Sequence, residues 1–291
     1  MNNNLRKTNF FLGGDMEINR IGFGAMRITG PQVWGMPENP QNSIDLLLRA
    51  IELGVNFIDT ADQYGPFTSE QLIAEALHPY QNKIVVGTKG GLVRYGPWAD
   101  INNDASPQHL EDALHGSLRR LKLDRIDLYQ LHRIDPKVPA ERSFEFLQKA
   151  QHNGKIRHIG LSEVSVEEIK LAQQFFNVVS VQNRYSIDNR ISEPVLEYCK
   201  QNNIAFIPWF PAGGGDIKND NLYTRIAEHH NATKHQVTLS WLFHHADNVI
   251  LIPGTSSISH LEENMRILDL SALEINELNE LSKKNKSEPG L

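Results

Sequence analysis

The sequence predicts an α/β fold, a (β/α)8 TIM barrel, on three observations. Short β-branched runs alternate with longer amphipathic stretches along the chain. Eight such runs occur, starting roughly 20 to 45 residues apart, which leaves room for a helix between each pair. Strands separated by helices pair in parallel through right-handed crossovers. Eight units close into a barrel, whereas a doubly wound open sheet usually has fewer strands. The 291 residues suit a single barrel domain over 1–291, with no domain-sized linker.

A small hairpin comes first. Phe10-Phe11-Leu12 runs into Gly13-Gly14, a tight-turn signal, and Met16-Glu17-Ile18 follows. The eight strands are then expected at Ile21–Gly24, Asn56–Asp59, Ile84–Lys89, Ile126–Leu131, Ile156–Leu161, Val178–Gln182, Ile204–Pro208 and Val249–Ile252.

The intervening stretches read as helices. Ile44, Leu47, Leu48 and Ile51 recur at three- and four-residue spacing over Ser43–Leu53, and Gly54 ends the run. Ser69–Leu77 is the second helix. Ser106-Pro107 opens the third, with proline at the first helical position and Leu110, Leu114, Leu118 and Leu121 as its buried stripe. Pro139–His152, Val166–Phe175, Pro194–Gln201 and His235–Phe243 continue the series. Ser259 with Glu262 three residues later has the pattern of a capping box, so a further helix is expected to start there. Long loops follow strands at Thr29–Gln41, Gly90–Asp104 and Pro211–Asn221, the catalytic side of a barrel.

Composition narrows the function. The formal net charge is −6, and nucleic-acid binders normally carry a basic excess. Hydrophobic residues at 40% are enough for a sizeable core. A single cysteine, Cys199, rules out a disulfide framework and any zinc site needing two thiolates. There is no run of 18 apolar residues for a membrane span, and Met1–Lys7 does not lead into a signal-like apolar stretch. The expectation is a soluble cytoplasmic protein, monomeric or a weak homo-oligomer. His229-His230 and His244-His245 are adjacent pairs, pointing about 100° apart on a helix, so neither pair is expected to share one ion. No metal site is expected.

The carboxyl ends of three consecutive strands carry Asp59, Lys89 and His132, and Tyr64 follows Asp59 by five residues. This set has a chemical logic. A phenol with a pKa of about 10 is a poor acid at neutral pH. A nearby ammonium stabilises the phenolate, a carboxylate keeps that ammonium charged and oriented, and an imidazole adds a hydrogen bond. The result is a general acid able to protonate a carbonyl oxygen as it becomes an alkoxide.

The string Phe57-Ile58-Asp59-Thr60-Ala61-Asp62-Gln63-Tyr64-Gly65 resembles the second-strand signature of the aldo-keto reductases. Gly87-Thr88-Lys89, Leu131-His132, Gly160-Leu161-Ser162, Val181-Gln182-Asn183, Ile252–Ser257 and Glu263-Asn264 match later landmarks in order. The resemblance covers essentially the whole chain. It implies a barrel that binds a nicotinamide dinucleotide and reduces aldehydes or ketones, with Asp59, Tyr64, Lys89 and His132 as the catalytic tetrad.

The resemblance also implies cofactor contacts. Gly24 is where the backbone approaches the cofactor, Ser162 and Gln182 hold the nicotinamide carboxamide, and Trp209 stacks on the ring. Glu163 stands where the family usually has Asn, a substitution that weakens or re-routes the amide contact. Gly254, Thr255, Ser256 and His260 belong to the adenosine end, with Glu263 and Asn264 at the adenine. Gly254 and His260 replace the Lys and Arg that hold the 2′-phosphate in many members, so NADPH is expected and NADH stays open. Trp34 and Phe210 are the expected walls of the substrate pocket, and Arg27 and Arg133 are cations able to face a negative group. Gly24-Ala25-Met26 and Trp209–Gly214 look most like the bacterial pyridoxal reductase branch, which points to pyridoxal as the carbonyl substrate. The alternative is a cofactor-binding regulatory subunit that keeps the barrel with little turnover.

Overall fold

The computed structural model describes residues 8–81, 84–211 and 221–284. Most of the expected Pro211–Asn221 loop, residues 212–220, lies outside that range, as does Met1–Lys7.

The chain opens with β1 (Asn9–Leu12) and β2 (Met16–Asn19), an antiparallel hairpin. Gly13 (φ +63°) and Gly14 (φ +87°) turn it, in a region that disfavours residues with a Cβ. β3 (Phe23–Gly24) precedes α1 (Pro40–Glu52), whose N-cap Asn39 accepts from the Gln41 amide. β4 (Phe57–Asp59), α2 (Thr68–Leu77) and β5 (Val85–Gly90) follow. Two short antiparallel strands, β6 (Leu92–Val93) and β7 (Asn102–Asn103), then fold the expected loop after Lys89 into a small hairpin.

α3 (Pro107–Leu121) starts at Ser106, whose hydroxyl accepts from the His109 amide. β8 (Ile126–Leu131), α4 (Ala140–His152), β9 (Ile156–Ser162) and α5 (Val166–Ala172) continue the alternation. β10 (Val178–Gln182), α6 (Glu193–Gln201) and β11 (Ala205–Phe206) complete it up to the seventh strand of the barrel. The last helices are α7 (Asn221–His229), α8 (Lys234–His245), α9 (Ile258–Asn264) and α10 (Ala272–Lys284).

Seven parallel strands hydrogen-bond in the order β3-β4-β5-β8-β9-β10-β11. The eighth, at residues 249–251, is thinner than expected. It joins by single bridges, Phe206 to Val249 on one side and Ile21 to Leu251 on the other. Backbone bonds from Gly22 to the Leu251 carbonyl and from Leu251 to the Arg20 carbonyl, each 2.8 Å, close the barrel. Arg20 reinforces this seam. Its side chain is fully buried and donates to the carbonyls of Val249 (3.0 Å), Phe243 (2.7 Å) and Ala246 (2.7 Å). The guanidinium also lies over the Phe243 ring.

Neighbouring residues on each strand serve two cores, as the two-residue period of a strand demands. Ile58, Val86, Tyr129 and Val178 pack outward with the helices. Phe57, Val85, Leu128, Val179, Ile207 and Ile250 instead cluster with Phe10, Leu12, Met16 and Ile18 of the hairpin. The hairpin therefore plugs the amino-terminal end of the barrel and leaves the other end open. No helix among the described residues is long and apolar enough to cross a membrane.

Three expectations need correcting. The N-cap of α9 is Ser257, not Ser259, and it accepts from the His260 amide. Glu262 pairs with Arg49 of α1 at 2.7 Å, so it is not available for a capping box. α7 and α10 were not foreseen. The buried stripe of α7 is only Tyr223, Ile226 and Ala227, too sparse a pattern to stand out. The reading of His229-His230 also fails, because α7 ends at His229 and the helical angle no longer applies. His229 Nδ1 and His230 Nε2 both lie 3.0 Å from Glu274 Oε1 of α10. These three ligand atoms lie within 4.8 Å of one another and form a group that could hold a metal ion. One nitrogen of each imidazole is hydrogen-bonded to the carboxylate, and the trio ties the end of α7 to α10.

Candidate active site

The residues at the carboxyl ends of the strands border a cleft of about 870 Å³, within the range of small-molecule sites. Asp59, Tyr64 and His132 line it, and Lys89 lies directly behind them. Parallel strands in register bring these residues together: Gly24 is level with Asp59, Asp59 with Gly87, and Lys89 with Gln130.

Lys89 is fully buried and Asp59 nearly so. The Lys89 Nζ donates to Asp59 Oδ2 at 2.7 Å, to the Thr60 carbonyl at 2.8 Å and to Tyr64 Oη at 3.4 Å. The other Asp59 oxygen accepts from Gln182 Nε2 at 2.9 Å and from Gln130 Nε2 at 3.2 Å. Burial works against charge on Lys89, but Asp59 and Tyr64 outweigh it, and the ammonium is held above its ordinary value. The carboxylate thus accepts from three donors and fixes the ammonium beneath the phenol.

The acidified phenol expected from sequence is not what the free site shows. Burial pushes Tyr64 up, Lys89 pulls it back and Asp59 adds to the rise, so the net shift is upward. Tyr64 therefore keeps its proton at neutral pH. The His132 ring stands edge-on to it, with centroids 6.1 Å apart. Burial, with Lys89 and Arg133 nearby, holds the His132 imidazole well below its ordinary pKa, so it is neutral. His132 Nδ1 is buried with no hydrogen-bond partner, as is the Gln63 Oε1 of a further lining residue. Groups of this kind are rare in folded proteins and mark a place where chemistry or a ligand is expected.

The remaining expected site residues divide. Gly24, Ser162, Gln182, Trp209, Phe210 and Gly254 line the cleft. Trp34 does not. The Arg94 guanidinium lies over its ring, and Gln32 and Val33 take that wall instead. Thr255, Ser256, His260, Glu263 and Asn264 lie beyond Gly254, on the turn and α9, and are not part of the cleft wall. Thr255 is buried, and its Oγ1 accepts from the Ser257 amide at 3.0 Å.

Glycine is required where β3 meets the 252–254 segment. A Cβ on Gly254 would stand 2.7 Å from the Gly24 carbonyl oxygen. A lysine cannot occupy position 254 in this backbone. The stem of Arg27 lies 3.8 Å from where that Cβ would be, and Arg27 is exposed on the cleft. Arg133 is half-buried at the same rim, donating to the His132 carbonyl at 2.6 Å and to Ser162 Oγ at 2.9 Å.

Sequence reasoning missed Gln130. It sits two residues before His132 on β8, and nothing in the strand pattern distinguishes it from a core position. It also missed the walls formed by Leu92, Ile101 and His235.

Barrel and rim together define an enzyme of the (β/α)8 class, with its polar cluster at the carboxyl ends of the strands. The sequence profile of the Aldo/keto reductase family matches residues 20–286. The chain belongs to that family and is an oxidoreductase. It is 39% identical over 264 residues to the pyridoxine 4-dehydrogenase of Escherichia coli, covering 89% of this chain and 92% of that one. An uncharacterised oxidoreductase of Schizosaccharomyces pombe is 47% identical over 254 residues, covering 87% and 82%. Among solved structures, an aldo-keto reductase from Klebsiella pneumoniae in complex with NADPH superposes with a TM-score of 0.79 at 25% identity, over 95% of each chain.

Proposed function

We propose that the whole chain, residues 1–291, is one barrel domain that reduces a small carbonyl compound to an alcohol with NADPH, and that pyridoxal, reduced to pyridoxine, is its leading substrate. The observation that carries this reading is the Lys89 ammonium fixed 3.4 Å from the Tyr64 hydroxyl at the edge of the cleft. The E. coli pyridoxine dehydrogenase and the NADPH complex of the Klebsiella enzyme support the choice of substrate and cofactor.

The cleft suits a nicotinamide dinucleotide. Two of its lining residues, His132 and Gln63, carry an unpartnered buried polar atom, an indole walls one side, and an exposed guanidinium stands near the 254 turn. Ser162 and Gln182 are the groups for a carboxamide, and Arg27 supplies positive charge where a lysine at 254 has no room. Gly24, Gly254, Thr255, Ser256, His260, Glu263 and Asn264 form the rest of the cofactor surface in this reading. The cofactor, when bound, supplies the hydride.

The chain's own residues handle the proton. Tyr64 Oη donates it to the carbonyl oxygen. Lys89 stabilises the negative charge left on the phenol, and Asp59, held by Gln130 and Gln182, keeps Lys89 in place. Neutral His132 can donate a ring N–H to the same carbonyl oxygen and orient it. Phe210 forms part of the substrate wall.

The test is NADPH oxidation by the purified protein with pyridoxal and a panel of aldehydes, with pyridoxine identified as product. Tyr64→Phe should abolish turnover while NADPH still binds. Full turnover in that variant would remove Tyr64 from its role, and a wild-type chain inactive on every carbonyl would refute the reductase reading. NADPH and NADH titrated separately by tryptophan fluorescence would settle the cofactor.

A further inference from the structure

Position 163 breaks the family pattern, and its geometry is specific. Glu163 follows Ser162 at the end of β9 with φ +55°, a left-handed conformation that costs energy for a residue with a side chain. The backbone is held there by its own amide, which donates to the Gln182 carbonyl at 3.1 Å. The carboxylate reaches across the end of β10. Its Oε1 accepts from the Arg184 backbone amide at 2.6 Å and from the Trp209 indole Nε1 at 2.6 Å.

The backbone of Trp209 is itself anchored. Its amide donates to the Asn183 carbonyl at 3.1 Å, and it forms a parallel bridge with Arg184. The Arg184 guanidinium lies 5.9 Å from the centre of the indole ring and 5.7 Å from that of Phe210. With the backbone fixed, rotation of the half-exposed ring is what remains free. The Glu163 bond to the indole's one polar atom removes that freedom. A carboxylate oxygen is a better acceptor for an N–H than a neutral oxygen. Asparagine is one methylene shorter than the side chain that makes these two bonds.

We propose that Glu163 is a positioning residue that sets the plane of the Trp209 indole on the cleft wall. Instead of holding the carboxamide, as the residue after this serine does elsewhere in the family, it acts through the aromatic ring. The inference rests on the reading above that Trp209 is the wall against which the nicotinamide lies. A ring left to swing would loosen the alignment needed for hydride transfer more than it would weaken binding.

The experiment has two readouts. The first is the indole N–H resonance of Trp209 in a proton–nitrogen NMR spectrum of the full chain without cofactor, assigned with Trp209→Phe among the four tryptophans. The second is the single-turnover rate of NADPH oxidation with 4-nitrobenzaldehyde, measured beside the NADPH dissociation constant. Glu163→Ala should shift the Trp209 resonance upfield and slow hydride transfer by about tenfold to a hundredfold, with the dissociation constant little changed. Glu163→Gln, which keeps an acceptor oxygen, should recover most of both effects. In the Trp209→Phe background, Glu163→Ala should have no further effect on the rate.

An indole resonance that ignores Glu163→Ala overturns the proposal. So does a rate loss that is equally large with Trp209 already replaced. The resonance is read without turnover, so it separates these failures from failure of the reductase reading itself, which a wild-type chain transferring no hydride would reveal.

Discussion

The two ends of the barrel are filled by opposite chemistry. At the amino-terminal end, the hairpin inserts Phe10, Leu12, Met16 and Ile18 among the inward residues of the strands, a dry apolar plug. At the carboxyl end, Asp59, Lys89 and His132 are just as buried, yet they are polar, and one His132 nitrogen has no partner. The plug removes apolar surface from water and stabilises the fold. The rim costs stability and gains a fixed arrangement of proton donors. The difference shows how one scaffold separates what holds it together from what it does, within the length of a strand.

Substitution can break this separation in a predictable order. Lys89→Met should have the largest effect, because it strikes both properties. Turnover should fall by about 10²–10⁴-fold. Asp59 would be left buried without its cation, a loss of about 3–5 kcal/mol that urea unfolding would measure. Undiminished turnover would separate the ammonium from the chemistry. Leu12→Ala, at the other end, should cost about 2–5 kcal/mol and leave kcat per folded molecule as in the wild type. A fall in kcat at full folding would mean that the plug and rim are coupled.

Acid sharpens a smaller contrast. Burial pushes the Glu274 carboxyl up, but hydrogen bonds from His229, Ser271 and His230 together hold it at about 2. Glu193 is held at about 2 in the same way, by His245, Tyr185 and Arg190 against its burial. Both lie below the ordinary glutamate value of 4.5. Their contribution to stability is therefore complete above pH 4.5 and is lost as pH falls toward 2. Thermal melts across that window should show Tm falling, and Glu274→Gln should flatten part of the fall. An unchanged slope in the variant would contradict the assignment.

The smallest effect is expected at the rim. Tyr64 and Lys89 lie above their ordinary values of 10.0 and 10.5, and His132 well below 6.5. None of the three is expected to change charge between those limits in the free enzyme, so kcat/KM for reduction should stay level from pH 6.5 to 10.0. A step near pH 6.5 would show that His132 titrates.

Much of this arrangement was legible in the residues. Asp59, Lys89 and His132 end apolar runs that could hardly be anything but strands, and parallel pairing then forces their side chains onto one rim. The hairpin announced itself through Gly13-Gly14. Gln130 stayed hidden because an amide inside a strand carries no periodic signature, and its partner Asp59 is 71 residues away. The upward shift of Tyr64 was also out of reach, since it depends on how burial balances against Lys89. Residues 249–251 looked like an ordinary strand, but they pair with each neighbour through a single bridge. Trp34 was expected at the cleft from its place in the first strand-to-helix loop, but it lies outside the lining with the Arg94 guanidinium over its ring.

Arg20 carries a consequence for how the molecule is made. The carbonyls that receive its guanidinium come 223, 226 and 229 residues later in the chain. On the ribosome, this cation waits for at least 223 further residues before its partners exist. The barrel therefore cannot close until residues 243–251 have been made, and a chain stalled before α8 has to be sheltered with the Arg20 guanidinium lacking these three acceptors.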